Sequence, residues 1–146
     1  MLITIPQIEV SYKRERTDKR KITSSLDAYE VFKECFKQET LSLYEEFFVL
    51  FLDRAAQIIG IRLLNRGTAT CTVVNSKLIF AIALGCNANS IVLAHNHPSG
   101  NLKPSQEDIR MTKKLKEFSE LIDIQLLDHL ILNTDSYFSF SDDGLL

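Results

Sequence analysis

The sequence lacks the features that would assign it to a membrane or to a secreted, disulfide-linked class. No apolar run approaches the roughly 18 residues of a membrane helix, since the longest extends only from Leu78 to Cys86. The N-terminus lacks the basic start and long apolar stretch of a signal peptide. The three cysteines, Cys35, Cys71 and Cys86, match neither a disulfide framework nor a CxxC zinc site. We therefore expect a cytoplasmic protein whose cysteines act as small buried hydrophobes.

Length and composition are those of one globular domain with one sizeable core. Apolar residues make up 45% and charged residues 25% of the 146 residues, and the net charge is −2. The charge is uneven, because residues 12–22 carry six basic side chains against two acidic ones. A basic arm can contact nucleic acid, although a solvated connector is the commoner explanation. We expect residues 1–24 to form an N-terminal strand and this basic connector, and residues 25–146 to form the functional domain.

The periodicity of apolar residues predicts an α/β fold of the α+β type, in which one mixed β-sheet is flanked by helices. Helices are predicted over residues 26–38, 75–86 and 105–121. The buried face of the last helix is predicted to carry Met111, Leu115, Phe118 and Ile122. Strands are predicted at residues 3–12, 45–53, 57–64, 69–74, 90–95, 124–132 and 137–140, with a turn at residues 65–67.

Candidate metal ligands are concentrated in the segment from His95 to Asp108, which reads HNHPSGNLKPSQED. In an extended backbone, residues i and i+2 point the same way, so His95 and His97 can direct both imidazoles at one point. Asp108 lies one turn into the following helix, and the intervening loop can bring its carboxylate to that point. Two imidazoles and one carboxylate leave a fourth tetrahedral position open on zinc, although non-haem iron uses the same set.

A helix start accounts for part of this segment without any metal. Ser105 fits the N-cap of a helix, and Asp108 fits its first turn, where acidic residues are favoured. A His-x-His pair also occurs by chance. The spacing alone therefore leaves both explanations open, and the two roles are compatible.

The amino-acid sequence of this segment resembles a known metal-binding motif. His95-x-His97, Ser105 and Asp108, together with an upstream glutamate, resemble the JAMM motif of the JAB1/MPN metalloprotease superfamily. The run HNHPSG followed by PSxxD is similar to the RadC branch of that superfamily, and the likeness extends over roughly residues 40–146. Two departures are Lys77-Leu78, where the branch usually has Arg-Glu, and the lack of a recognisable helix–hairpin–helix region before residue 40.

The resemblance implies a JAB1/MPN, cytidine-deaminase-like fold and a zinc metallopeptidase acting on a peptide or isopeptide. It implies that His95, His97 and Asp108 bind Zn²⁺. It implies that Glu45, favoured over Glu46 by the Glu-x-Phe register, is the general acid/base, and that Ser105 hydrogen-bonds the oxyanion. The alternative is a DNA-repair-associated module that binds nucleic acid or protein without hydrolysis, which the basic stretch supports and the acidic net charge opposes. A base deaminase is set aside, because its cysteine ligands are missing.

Two further polar residues near the motif have less specific interpretations. His129 lies in an apolar strand beside Asp128. It fits a hydrogen-bonded structural histidine, which is the commoner case, or a contact to a metal ligand. Asn96 is interpreted as a loop-fixing residue.

Overall fold

The computed structural model describes residues 5–15, 20–67 and 74–146. Within these ranges no helix is both long and apolar enough to cross a membrane. The chain order of the helices and strands is α1 (Ser25–Cys35), β1 (Glu45–Leu52), β2 (Ile58–Gly67), α2 (Ser76–Gly85), β3 (Ser90–Asn96), α3 (Gln106–Leu121), β4 (Gln125–Leu132) and β5 (Tyr137–Ser139).

The three predicted helices are confirmed, and each begins at a side chain that caps its first turn. Ser24 and Asp27 form a reciprocal capping box at α1, and Asn75 accepts a hydrogen bond from the backbone N–H of Leu78 at α2. Ser105 and Asp108 form a second capping box at α3. Helix α1 ends earlier than predicted, because the backbone of Phe36 turns extended and its side chain enters the core.

One mixed sheet holds all five strands in the order β2-β1-β3-β4-β5. Strand β1 pairs antiparallel with both β2 and β3, β3 pairs parallel with β4, and β4 pairs antiparallel with β5. The parallel pair contains an irregularity, because Ile91 lies opposite Leu126 and Val92 opposite Asp128, which leaves Leu127 without a partner. The predicted mixed sheet is thus confirmed.

Helices cover both faces of the sheet, and each face has its own apolar core. Alternate residues of β1 divide between the two faces. Phe48, Leu50 and Leu52 pack with α1. Phe47 and Val49 pack with α2 and α3. The predicted helix-flanked arrangement is therefore confirmed, and the α2–α3 face becomes the side on which the candidate site lies.

Two predictions about strands are wrong. Residues 5–12 form no strand, and the Ile8 side chain is 93% exposed. Pro6 cannot donate to a ladder, and the start of β2 is already paired, through a bridge between Lys21 and Gln57. The turn predicted at residues 65–67 is instead the end of β2, where Gly67 lies opposite Glu45. The strand predicted at 69–74 lies outside the described residues, except for its last position, which is not in a strand.

The buried face of α3 also differs from the prediction. Leu115 is buried as predicted, but Phe118 is 47% exposed. Met111 and Ile122 are partly buried against the same core, as predicted. The buried residues of α3 also include the polar Asp108, Thr112 and Ser119, which an apolar pattern cannot indicate. Cys35 and Cys86 are half-buried free thiols rather than core residues, and Cys71 lies outside the described residues.

Candidate metal centre

His95, His97 and Asp108 converge on one point. The Nε2 atoms of the two imidazoles lie 3.0 Å apart. The Asp108 carboxylate lies 3.4 Å from Nε2 of His95, through Oδ1, and 3.3 Å from Nε2 of His97, through Oδ2. Among the described residues, this is the only group of three or more His, Cys, Asp or Glu side chains found close enough together to hold a metal ion.

The fold brings the three residues together from two elements. His95 is buried near the end of β3, His97 lies just beyond that strand, and Asp108 is at the first turn of α3. The loop between them is a tight one, in which the backbone N–H of Gly100 donates to the carbonyl of His97 and Gly100 has a φ of +78°. That φ is in the left-handed region that glycine adopts without steric cost.

The spacing of the three ligand atoms fits a small tetrahedral cation. With metal–ligand bonds of about 2.0 to 2.1 Å, neighbouring ligand atoms of a tetrahedron lie about 3.3 Å apart. In the structure the two Nε2 atoms lie 3.0 Å apart, and each has a different Asp108 oxygen at 3.3 to 3.4 Å, so these separations are close to that value. The three residues can therefore hold a metal ion.

Charge in the centre is arranged around the Asp108 carboxylate. Burial alone would raise the pKa of Asp108, but its contacts with the His95 and His97 imidazoles outweigh burial and hold this pKa well below its usual range. Contact with the Asp108 carboxylate, which can only accept a hydrogen bond, raises the pKa of His97 against the opposing effect of burial. The centre thus contains an anionic ligand at neutral pH, which favours a cation.

Asp108 also keeps the helix-capping role that the sequence left open. Its Oδ2 accepts the backbone N–H of Ser105 at 2.7 Å, and its own N–H donates to the Ser105 hydroxyl at 3.0 Å. One carboxylate therefore caps the first turn of α3 and also faces the two imidazoles. Helix capping and metal binding by Asp108 are thus compatible.

The second nitrogen of each imidazole is occupied. Nδ1 of His97 lies 2.6 Å from the backbone carbonyl of Asn101, which can only accept a hydrogen bond. Nδ1 of His95 lies 2.7 Å from Nε2 of His129, whose own Nδ1 lies 2.6 Å from the Thr112 hydroxyl. Complete burial lowers the pKa of His129 well below its usual value, so this imidazole is neutral.

Glu45 lies on the same side of the sheet as the centre. Phe47 is opposite His95 in the β1–β3 ladder, so continuing that register by two residues places Glu45 opposite His97. Glu45, His97 and Ser105 line one cleft of about 640 Å³, and the charge of Glu45 contributes to raising the pKa of His97. The neighbouring Glu46 points to the other side, where it is buried and pairs with Arg66.

Asn96 fixes the backbone that leads into Glu45. Its side-chain amide donates to the carbonyls of Leu41 and Tyr44 at 2.8 and 2.7 Å, and its Oδ1 accepts the N–H of Glu46 at 2.8 Å. Between the two histidines, Asn96 thus links the end of β3 to the start of β1. Its predicted loop-fixing role is confirmed.

Comparison with known proteins places this arrangement in a family. A family model described as a RadC-like JAB domain matches residues 22–145. The chain belongs to the RadC family. RadC relatives named UPF0758 protein are 40% identical over 126 residues in Flavobacterium johnsoniae and 37% identical over 136 residues in Staphylococcus haemolyticus. The alignments cover 86% and 93% of this chain but 54% and 58% of those relatives, so the chain spans little more than half of their length.

RadC membership confirms the resemblance predicted from the motif. The five-stranded mixed sheet with helices on both faces is consistent with the JAB/MPN fold. Thr112 belongs to no motif, so the sequence did not point to it, and the sequence left two interpretations of His129 open. Only the folded structure relates these residues to the centre, because β4 brings His129 into contact with His95 and α3 brings Thr112 into contact with His129.

Proposed function

We propose that this chain is a zinc-dependent metallohydrolase that cleaves peptide or isopeptide bonds. The observation that carries the proposal is the convergence of His95, His97 and Asp108 beside a cleft that His97 and Glu45 both line. RadC family membership supports it. The choice of zinc rests on the two imidazoles and one carboxylate, a set that other divalent metals also accept.

A zinc ion held by these ligands would act as a Lewis acid and lower the pKa of a coordinated water toward about 7. The contribution of the protein is to hold both imidazoles with their Nε2 atoms toward the ion and to place one anionic carboxylate beside them. The carbonyl of Asn101 keeps His97 in that orientation. Strand β3 holds the backbone of His95, and the first turn of α3 holds that of Asp108.

Glu45 is the proposed general base and then general acid. Glu45 lies at the start of β1 and lines the cleft together with His97, and hydrogen bonds with the Asn96 side chain hold the backbone on both sides of it. A carboxylate there can take a proton from the attacking water and return it to the leaving amine. Glu46 cannot take this role, because its carboxylate is paired with Arg66 on the opposite face.

Ser105 is the proposed donor to the oxyanion. Its oxygen accepts the N–H of Asp108 as the helix cap, which leaves the hydroxyl proton to point into the cleft that Ser105 lines. A donor fixed by a helix cap needs little reorganisation when negative charge develops on the substrate oxygen.

The interaction-module alternative has less support among the described residues. Arg14 is paired with Asp53 at 2.8 Å, and Arg20 is paired with Glu34 at 2.7 Å. These basic side chains are therefore partly neutralised by the domain itself. If the alternative were correct, binding to nucleic acid would survive chelation and fall steeply with salt.

The test combines metal analysis with two neighbouring glutamate variants. Purified wild-type protein should contain stoichiometric zinc, and it should hydrolyse members of a panel of fluorogenic peptides and lysine-linked isopeptides. Glu45→Gln should keep the zinc and lose turnover, because the amide cannot shuttle the proton. Glu46→Gln is the matched control, since the same chemical change one residue away lies on the other face of the sheet.

Each arm of this test has a contrary outcome. Full turnover in Glu45→Gln would refute the role of Glu45. Wild-type protein without stoichiometric metal would remove the basis of the proposal. Equal losses in both glutamate variants would indicate a structural defect of β1 rather than missing proton transfer.

A further inference from the structure

A buried line of hydrogen-bonding side chains connects the core of the protein to the metal centre. It runs from Thr112 on α3, through His129 on β4, to His95 on β3. The three side chains are almost completely buried, at 1%, 0% and 1% exposure respectively. The contacts are short, at 2.6 Å from Thr112 to His129 and 2.7 Å from His129 to His95.

The contact at Thr112 determines which atom donates and which accepts in every hydrogen bond of this line. The Thr112 hydroxyl lies 2.6 Å from the backbone carbonyl of Asp108, which has no proton to give, so the single hydroxyl proton must point at that carbonyl. The Thr112 oxygen can then only accept from Nδ1–H of His129. A neutral imidazole protonated at Nδ1 has its lone pair at Nε2.

The tautomer of His129 in turn determines which nitrogen of His95 carries the proton. With its lone pair at Nε2, His129 must accept a hydrogen bond from Nδ1–H of His95. In neutral His95, Nε2 is then unprotonated, and this atom points toward His97 and Asp108. A histidine binds a metal through such a lone pair, and the hydrogen bond at the other ring nitrogen determines which nitrogen is available.

The surroundings fit a directed role better than simple packing. The His129 ring stacks on Phe140 at 4.7 Å between centroids and meets Phe47 edge-on at 5.6 Å. Burying a polar side chain among aromatic rings costs free energy unless it is hydrogen-bonded, and an apolar residue would fill the space without that cost. The polar line ends on a candidate ligand, and it begins on the backbone of Asp108, another ligand.

We infer that Thr112 and His129 are positioning residues that hold His95 in its Nδ1-protonated tautomer, the form whose Nε2 can bind the metal. This inference rests on the proposed zinc site. It extends the site inward by two residues and makes α3 contribute twice, through the carboxylate of Asp108 and through the carbonyl that orients Thr112. His97 reaches the same tautomer more simply, through the Asn101 carbonyl.

The test uses a matched pair of substitutions at Thr112. Thr112→Ser keeps the hydroxyl, whereas Thr112→Val keeps the shape and removes it. Without an acceptor at Nδ1, His129 can move its proton to Nε2 and donate to His95, whose proton then moves to the ligand nitrogen. In metal-free protein, imidazole ¹⁵N spectra should show His95 protonated at Nδ1 in the wild type and Thr112→Ser, with the other tautomer appearing in Thr112→Val.

Zinc titration gives the second readout. Removing a residue that orients a ligand typically weakens metal binding by about 10- to 100-fold. We expect a loss in that range for Thr112→Val, and a change of less than about threefold for Thr112→Ser. If Thr112→Val does not fold, His129→Gln, whose amide oxygen can still accept from His95, should bind zinc more tightly than His129→Leu.

The outcomes separate this inference from the proposed function. Wild-type zinc binding with an unchanged tautomer and affinity in folded Thr112→Val would overturn the inference and leave the zinc site intact. Equal zinc affinities in His129→Gln and His129→Leu would do the same. Wild-type protein that binds no zinc would refute the proposed function, and the ¹⁵N spectra of the metal-free protein would still show whether Thr112 sets the tautomer of His95.

Discussion

Substituting Asp108 by asparagine should separate its role as a helix cap from its proposed role as a metal ligand. Asp108→Asn keeps an oxygen that can accept the N–H of Ser105, so the cap of α3 should survive, but it removes the anionic ligand. Asp108→Ala removes both the ligand and the acceptor. Leaving the partly buried N–H of Ser105 unpaired should cost about 1 kcal/mol of unfolding free energy.

The contribution of Asp108 to zinc binding can be measured as the rise in melting temperature that zinc produces. Zinc at a hundred times its Kd should stabilise the wild type by about 2.7 kcal/mol. For 146 residues, the entropy of unfolding is about 0.3 kcal/mol per kelvin, so Tm should rise by about 9 °C. If Asp108→Asn weakens binding at least a hundredfold, the same zinc concentration should raise its Tm by no more than about 1 °C.

The assay is differential scanning fluorimetry of the three proteins, first in chelator and then in buffered zinc. In chelator, Asp108→Asn should melt below the wild type, because the contacts that lower the Asp108 pKa favour the charged carboxylate in the folded state. Asp108→Ala should melt about 3 °C lower still. A zinc-induced rise as large in Asp108→Asn as in the wild type would show that Asp108 is not a ligand. An Asp108→Asn protein that melts as low as Asp108→Ala in chelator would show that the charge, rather than the oxygen, caps the helix.

Three further predictions concern residues around the centre. Ser105→Ala should slow turnover by about a hundredfold or more, as loss of an oxyanion donor does, while zinc affinity measured by titration changes far less. Asn96→Ala should lower the unfolding free energy in chemical denaturation by about 3 kcal/mol, because buried backbone groups lose their partners; an effect below about 1 kcal/mol would contradict this. Burial raises the pKa of Asp128 against its hydrogen bonds, so its stabilising contribution is present below the unfolded-state pKa of about 3.9 and is lost as pH rises through the folded-state value. Asp128→Asn should therefore gain stability relative to the wild type as pH rises above about 4, and a constant difference between the two proteins would contradict this.

The sequence was sufficient for elements whose residues interact with near neighbours. The capping pairs at Ser24 and Ser105 are local, so the starts of α1 and α3 could be predicted. The His-x-His spacing at the end of an apolar strand is also local, and it predicted that His95 and His97 point the same way. The choice of Glu45 over Glu46 came from the resemblance and stays a prediction, and the alternation of β1 puts Glu45 on the same side of the sheet as the metal centre.

What could not be predicted depends on contacts between distant segments. His129 lies 34 residues from His95 in sequence, and only the parallel pairing of β3 with β4 makes them neighbours. Thr112 lies on a helix face whose apolar pattern pointed to Phe118 instead. The end of β2 contains Asn65 and Gly67, residues typical of turns, and long-range pairing with β1 overrides that local preference.

The unpaired Leu127 has a consequence for how β4 can vary. Side chains alternate strictly along an undistorted strand, so Leu126 and His129, three positions apart, would point to opposite sides of the sheet. The extra residue between them shifts the phase, and both face α3. Removing one residue of β4 between this bulge and His129 would put Leu130 next to His95, and adding one would put Asp128 there. The His95 imidazole would then face a hydrocarbon or a carboxylate. We therefore expect this part of β4 to tolerate no change of length.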